Sequence, residues 1–418
     1  MAEHERIEVH LRTLTLPGIP SGRTVVPDYP GYSICGVPGL VRALLGLGEG
    51  TPLSSAVAER IPDSYSKVIL FILDGLGFGR LLELLDHYPD LYLASLIERG
   101  AFLPITSVFP STTVAALTTY ATGVTPQEHG VVGYRLYLRE TAAITNMIRL
   151  SLLGTTRGDS AVDWGINLET FLSGPFAPES LRALGVETHT ILSKRISTSG
   201  LSTLLYGSST RLHGATALSD MLVAARRLAR ETPGRAFVQL YWAETDTLAH
   251  LHGPRSEEFT AELRAVDATL RQELDGAVPG AVLVVSSDHG LVSMENEDYA
   301  QIAEDPELMR DLVLPPVGEP RAAYLFVRAG RKEAVAERIR ERFGGDLLCL
   351  DSLSALKGGL FGQGKRHPAV ADRIGDLVVV STGKRALHYP YKDAAMLRGM
   401  HGGLTDEEML VPLIVCPL

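Results

Sequence analysis

A chain of 418 residues, 45% hydrophobic and 21% charged, has the balance of an ordinary globular protein and is long enough to bury more than one layer of core. Its formal net charge of -10 argues against binding a nucleic-acid polymer, because an acidic surface repels the phosphate backbone; an anionic substrate would need bound cations to reverse the local field. The charged, proline- and glycine-broken N-terminus has no apolar signal stretch, and no segment is apolar for long enough to span a bilayer, so the expected setting is cytoplasmic with no membrane partner. Cys35, Cys349 and Cys416 are odd in number and far apart, which leaves oxygen and nitrogen as the ligands for any metal.

In chain order, residues 1–60 are rich in Pro and Gly and read as an irregular N-terminal arm. Residues 68–73 then form an apolar, branched run that predicts a buried strand and ends at Asp74. In SVFPSTT, Pro110 stops the preceding segment, and residues 114–120 predict a short helix behind Ser111, Thr112 and Thr113. Glycine- and serine-rich turns from about 135 to 235 interrupt the rhythm and read as an insertion, expected to cap the site. A second strand, 237–242, leads into AETDTLAH with Asp246 and His250; a helix is predicted over 256–274. The third strand, 281–285, runs into SSDHG with Asp288 and His289. A second insertion is expected over about 312–388, with a helix over 332–342 and a fourth buried strand over 377–380. His401 stands in a loop before a closing strand at 410–415. Strands alternating with helical segments predict an α/β layered fold around a mostly parallel sheet.

Ligands of open α/β sheets bind beyond the carboxyl ends of the strands, and three of these ends carry aspartate. A single aspartate there is usually a turn former or helix cap, and a lone histidine is usually structural. The joint pattern alters the balance. Asp246 and His250, four apart, share one face of a helical turn and can hold one cation. Asp288 and His289 are adjacent in a strand-end loop and can turn into one cleft. Asp74, Asp246, His250, Asp288, His289 and His401 together suffice for two divalent ions, with Zn2+ the best match to Asp/His donors and Mn2+ compatible with the carboxylates. The hydroxyls of SVFPSTT could simply cap a helix. Beside a metal, however, a hydroxyl at a helix N-terminus is placed to act as a nucleophile toward a phosphoryl group.

These motifs, in this order, closely resemble the alkaline phosphatase superfamily, specifically its type I phosphodiesterase and nucleotide pyrophosphatase branch. The resemblance covers residues 66–134, 236–292 and 370–418 and implies a three-layer, alkaline phosphatase-like catalytic domain over 61–418 with an inserted cap. By the same resemblance Asp74, Asp288 and His289 hold one metal, which also meets the nucleophile, and Asp246, His250 and His401 hold the other. Counting back ten positions from Gly123 of the Thr-Gly pair gives Thr113 as nucleophile, with Thr112 the fallback. Relatives place an asparagine after the His-Gly pair to contact a phosphate oxygen; here HGVVGY puts Tyr134 at that substrate-binding position. The Cys/Ser signature of sulfatases is absent from SVFPSTT. The implied activity is hydrolysis of phosphodiester or pyrophosphate bonds in small phosphate esters or nucleotides, through a phosphothreonine. Phosphomonoesterase or phosphomutase chemistry on the same scaffold is the alternative, and a non-enzymatic metal- or ligand-binding protein is the third reading. The lack of any Lys or Arg between Phe109 and Tyr134, with Arg135 the first beyond, leans toward diesters. Asn146, Trp164 and Asn167 are candidates for lining the substrate pocket.

Overall fold

Strand Lys67–Leu73 is buried on both faces because its side chains alternate. Val68, Leu70 and Ile72 enter one apolar cluster, and Ile69, Phe71 and Leu73 enter another. A strand of this kind requires helices on both sides of its sheet, and the computed structural model, which describes residues 3–48, 51–155, 157–391 and 396–418, has them. The Leu-rich faces of Phe78–His87, Tyr92–Arg99, Leu218–Glu231 and Glu257–Leu274 cover one side. Helix Thr113–Thr122 and the N-terminal helices pack on the other. The architecture is therefore the three-layer, mostly parallel α/β arrangement that the sequence predicted.

The sheet has seven strands in the order Ala101–Thr106, Leu410–Pro417, Ala281–Ser286, Lys67–Leu73, Ala236–Trp242, Glu187–Ser193 and Arg211–Ala215. Only Leu410–Pro417 opposes the common direction. Leu73 pairs with Trp242, and Ile72 with Ser286, so the three central strands end level and deliver residues 74, 243–250 and 287–289 to one edge. No helix among the described residues is long and apolar enough to cross a membrane.

Three sequence expectations require correction. The arm over 1–60 is not irregular: it carries helices Glu3–Thr13, Val37–Leu44 and Pro52–Ala58, whose Ile7, Leu11, Val37, Leu40, Val41 and Leu44 enter the main core. Pro38 and Pro52 lie in the first turns of their helices, where a missing N–H costs nothing; proline density there marks helix starts rather than breaks. The stretch over 135–235 is not wholly an insertion, since Glu187–Ser193 and Arg211–Ala215 extend the parallel sheet. The run at 377–380 is a buried strand, Leu377–Ser381, but it lies outside the parallel sheet and pairs antiparallel with Ala322–Leu325 and Leu347–Asp351. Its faces are divided between two apolar clusters, and two-sided burial gives the same apolar run in either kind of sheet. Parts of both stretches read as insertions meet in this second, antiparallel seven-stranded sheet, in which Val317–Glu319 joins Arg135–Leu138.

A buried ion pair ties the second sheet to the His401 loop. Arg321, fully buried, donates to Glu408 at 2.6 and 2.8 Å and to the carbonyls of Gly383 and Lys384 at 2.6 and 2.8 Å, while Glu408 also accepts from Gly403 N at 2.8 Å. Arg321→Met would strand the Glu408 carboxylate in the core, and we expect a stability loss of about 3–5 kcal/mol by urea unfolding. A loss below about 1 kcal/mol would show that water or the loop compensates.

Candidate metal centre

The six predicted ligands converge at the carboxyl edge of the parallel sheet. Asp74 follows its strand directly, Asp246 and His250 lie one turn apart on helix Glu244–His252, Asp288 and His289 follow Ala281–Ser286, and His401 arrives from the loop before the closing strand. Ligand atoms of Asp246, His250 and His401 all lie within 4.8 Å of one another, as do those of Asp74, Asp246 and His289. The first group is the one the resemblance implied. The second has Asp246 where Asp288 was expected, so one carboxylate reaches both groups; Asp288 Oδ2 is nevertheless 3.6 Å from His289 Nε2, as is Asp74 Oδ1.

The histidines are oriented as ligands. Nδ1 of His250 donates to Gly399 O at 2.7 Å, that of His289 to Gly290 O at 3.1 Å, and that of His401 to Ser111 O at 2.9 Å. A carbonyl can only accept, so each contact places a proton on Nδ1 and turns Nε2 toward the centre. Three buried carboxylate oxygens, Asp74 Oδ1, Asp246 Oδ1 and Asp288 Oδ2, have no hydrogen-bond partner among the described residues. Burial, then repulsion from Asp288 and Asp246, pushes the Asp74 carboxyl well above its usual range. Partnerless buried carboxylates of like charge are costly unless a cation neutralises them, so the donor set fits divalent metal ions.

Surrounding groups hold these ligands in place. Asp288 Oδ1 accepts from Gly75 N at 3.1 Å and His289 N at 3.0 Å, Tyr241 OH donates to Asp74 Oδ2, and Thr245 Oγ1 donates to Asp74 O at 2.6 Å. Gly75 has φ +76° and lies close to the Asp246 backbone; a side chain there would be strained and crowded. Burial would lower the His250 pKa, but Asp246, with Oδ2 3.2 Å from Nε2, overrides it and raises the value to about 9. Without metal, this pair stabilises the fold below the ordinary pKa of 6.5, and that contribution is lost as pH rises through about 9. A cation must displace the proton from Nε2, so metal affinity is expected to climb with pH up to about 9. Calorimetric Zn2+ titration near neutral pH in buffers of different ionisation enthalpy should report net proton release, and none would contradict this account.

Thr113 opens helix Thr113–Thr122, and its Oγ1 is 3.2 Å from His289 Nε2. The hydroxyl of Thr112, the fallback, instead donates to Glu319 Oε1 at 2.7 Å. Glu319, which the sequence reading missed, also accepts from Tyr134 N at 2.7 Å. Burial raises its carboxyl to about 7, against the pull of Thr112, Tyr134, Arg135 and His289. It comes from the second sheet, and VGEP carries no signal beyond that of a turn. Tyr134 lies at the rim of the site, its hydroxyl accepting from Asn146 Nδ2 at 2.7 Å and its ring 4.7 Å from the Arg135 guanidinium.

One cavity opens on this centre and a second meets Tyr134. One of about 180 Å³ contains Asp74, Thr113 and Asp246 and is walled mainly by apolar groups, among them Leu117, Ile148, Leu201 and Leu205. The other, of about 670 Å³, is lined by Tyr134, Arg135, Asn146, Arg149, Tyr389 and Tyr391 among others. Of the three pocket candidates, only Asn146 lines it; Trp164 is 64% exposed, and the Asn167 side chain accepts from Glu169 N at 2.9 Å.

An α/β sheet with an Asp/His cluster at its carboxyl edge and a helix-terminal hydroxyl beside it can hold divalent cations next to a nucleophile. The chain matches the type I phosphodiesterase / nucleotide pyrophosphatase family over residues 68–404, and it belongs to that family. No curated protein matches the sequence significantly. Among solved structures, murine ectonucleotide pyrophosphatase / phosphodiesterase 5 is similar, with TM-score 0.64 and 18% identity over 83% of this chain and 87% of that one. An inactive form of it in complex with AMP gives TM-score 0.62 and 16% identity, with 83% and 87% covered. Phosphonoacetate hydrolase from Sinorhizobium meliloti 1021, in complex with phosphonoacetate, gives 0.61 and 21% identity over 83% of this chain and 89% of that one. At these identities the likenesses concern the fold.

Proposed function

We propose that the protein hydrolyses phosphodiester or pyrophosphate bonds in small phosphate esters or nucleotides, through a phosphothreonine on Thr113, with Asp74, Asp288, His289 and the shared Asp246 around one Zn2+ and Asp246, His250 and His401 around a second. The observation that carries this reading is the placement of Thr113 Oγ1 3.2 Å from His289 Nε2, beside three partnerless carboxylate oxygens. When bound, the cations supply Lewis acidity toward the threonine hydroxyl and neutralise phosphoryl charge. Thr113 lies in the first turn of its helix, where unpaired N–H groups and the dipole favour an anion. The apolar walls of the smaller cavity exclude water around one substituent, while Tyr134 borders space for a second. Two substituents describe a diester or an anhydride. The AMP and phosphonoacetate in relatives' structures are likewise small anionic ligands.

The test is hydrolysis of bis-p-nitrophenyl phosphate and p-nitrophenyl phosphate by protein reconstituted with Zn2+ or with Mn2+. Faster turnover of the diester is expected. Failure of both substrates with both metals would overturn the hydrolase reading, and a preference for the monoester would overturn the diester assignment.

A further inference from the structure

We infer that Glu319 sets the charge selectivity of the site, disfavouring doubly charged phosphate monoesters in favour of singly charged diesters; the inference rests on the hydrolase reading above. Glu319 ends strand Val317–Glu319, and the His401 loop crosses directly over it. A Cβ on Gly402 would lie 3.1 Å from the Glu319 Cβ. Two donors at the mouth of the nucleophile helix, Thr112 Oγ1 and Tyr134 N, are both spent on its Oε1, each at 2.7 Å. Oε2 has no hydrogen-bond partner among the described residues and remains an acceptor. Beside Thr112, the residue before the nucleophile, there is therefore a carboxylate where a donor would welcome a charged phosphoryl oxygen.

The consequence follows from charge. A monoester brings two negative charges to the site at mildly alkaline pH and a diester brings one, and like charges brought together in a dry site repel strongly. A diester can turn its uncharged ester oxygen toward Glu319. Its second substituent then runs past Tyr134 into the cavity of about 670 Å³. A purely structural Glu319 would only hold Thr112 and Tyr134, which the carbonyl oxygen of a glutamine accepts equally well. Glu319→Gln thus separates charge from scaffolding.

Binding separates the two roles without turnover. In metal-loaded Thr113→Ala protein, phenyl phosphate and methyl phenyl phosphate are titrated calorimetrically at mildly alkaline pH, with and without Glu319→Gln. The expected result is about tenfold tighter binding of phenyl phosphate by the Gln variant, with methyl phenyl phosphate changing less than about twofold, and Glu319→Asp behaving as its parent. Should Gln not be accommodated, as judged by loss of the cooperative thermal transition, Glu319→Ser removes the charge with less volume and is held to the same expectation. An unchanged ratio in the neutral variant would overturn the inference and leave the hydrolase reading intact. Failure of metal-loaded protein to bind either ligand would overturn both.

Discussion

Thr113→Ala is expected to lower kcat/KM for the diester by about three orders of magnitude or more while leaving the bound cations in place, because removing a nucleophile removes the covalent route and not the ligand set. The geometry makes the separation clean. Six carboxylate and imidazole ligands surround the centre without Thr113, whose Oγ1 touches it only through the 3.2 Å contact with His289. The loss of one hydroxyl and one methyl lies in the first turn of a helix whose other residues are buried, so folding should be unaffected. Stoichiometry by elemental analysis and rates on bis-p-nitrophenyl phosphate are both needed. Full activity in the variant would remove Thr113 as nucleophile; Thr112→Ala would then be compared, although its hydroxyl is committed to Glu319. Loss of both metals would instead recast Thr113 as a structural ligand.

Asp246→Asn is expected to have the broadest effect of any ligand change. Its ligand atoms belong to both groups, Oδ1 has no hydrogen-bond partner among the described residues, and Oδ2 is 3.2 Å from His250 Nε2. Burial alone would raise its pKa, yet His250 and its hydrogen bond hold it below the usual carboxylate range. The carboxylate is therefore ionised and ready for a cation. An amide cannot supply that charge, so we expect cation binding weakened by at least about 100-fold at one position or both, with activity falling alongside. The His250 pKa should also fall from about 9 toward the ordinary value, because its raising partner is gone. Two cations retained with unchanged affinity would show that Asp246 holds neither.

The parallel strands were legible because an apolar, branched run of six or so residues with an acidic residue within three positions of its end suits a strand buried on both faces: 68–73, 237–242 and 281–285 became Lys67–Leu73, Ala236–Trp242 and Ala281–Ser286. Helices predicted over 256–274 and 332–342 appear as Glu257–Leu274 and Lys332–Phe343, since their apolar spacing was unambiguous. The strand at 377–380 was legible as a strand but not as a member of its own sheet, because sheet membership depends on the partner and not on the run. Glu187–Ser193 was hidden by its composition: ETHTILS begins with polar residues, which bury Thr188, His189 and Thr190 at the sheet interior.

What the sequence by itself determined is the local chemistry: aspartates at strand ends, an Asp/His pair one helical turn apart, and a hydroxyl at a helix start. Each depends on residues within a few positions of one another, where chain geometry leaves little freedom. Only the tertiary structure decided that Asp246 reaches both ligand groups, that Thr113 rather than Thr112 faces His289, and that Glu319 arrives from 207 positions beyond Thr112 to accept its hydroxyl. Those outcomes turn on which loops meet at the sheet edge and at what angle. That is set by the summed packing of two sheets and their helices, and no single motif carries it.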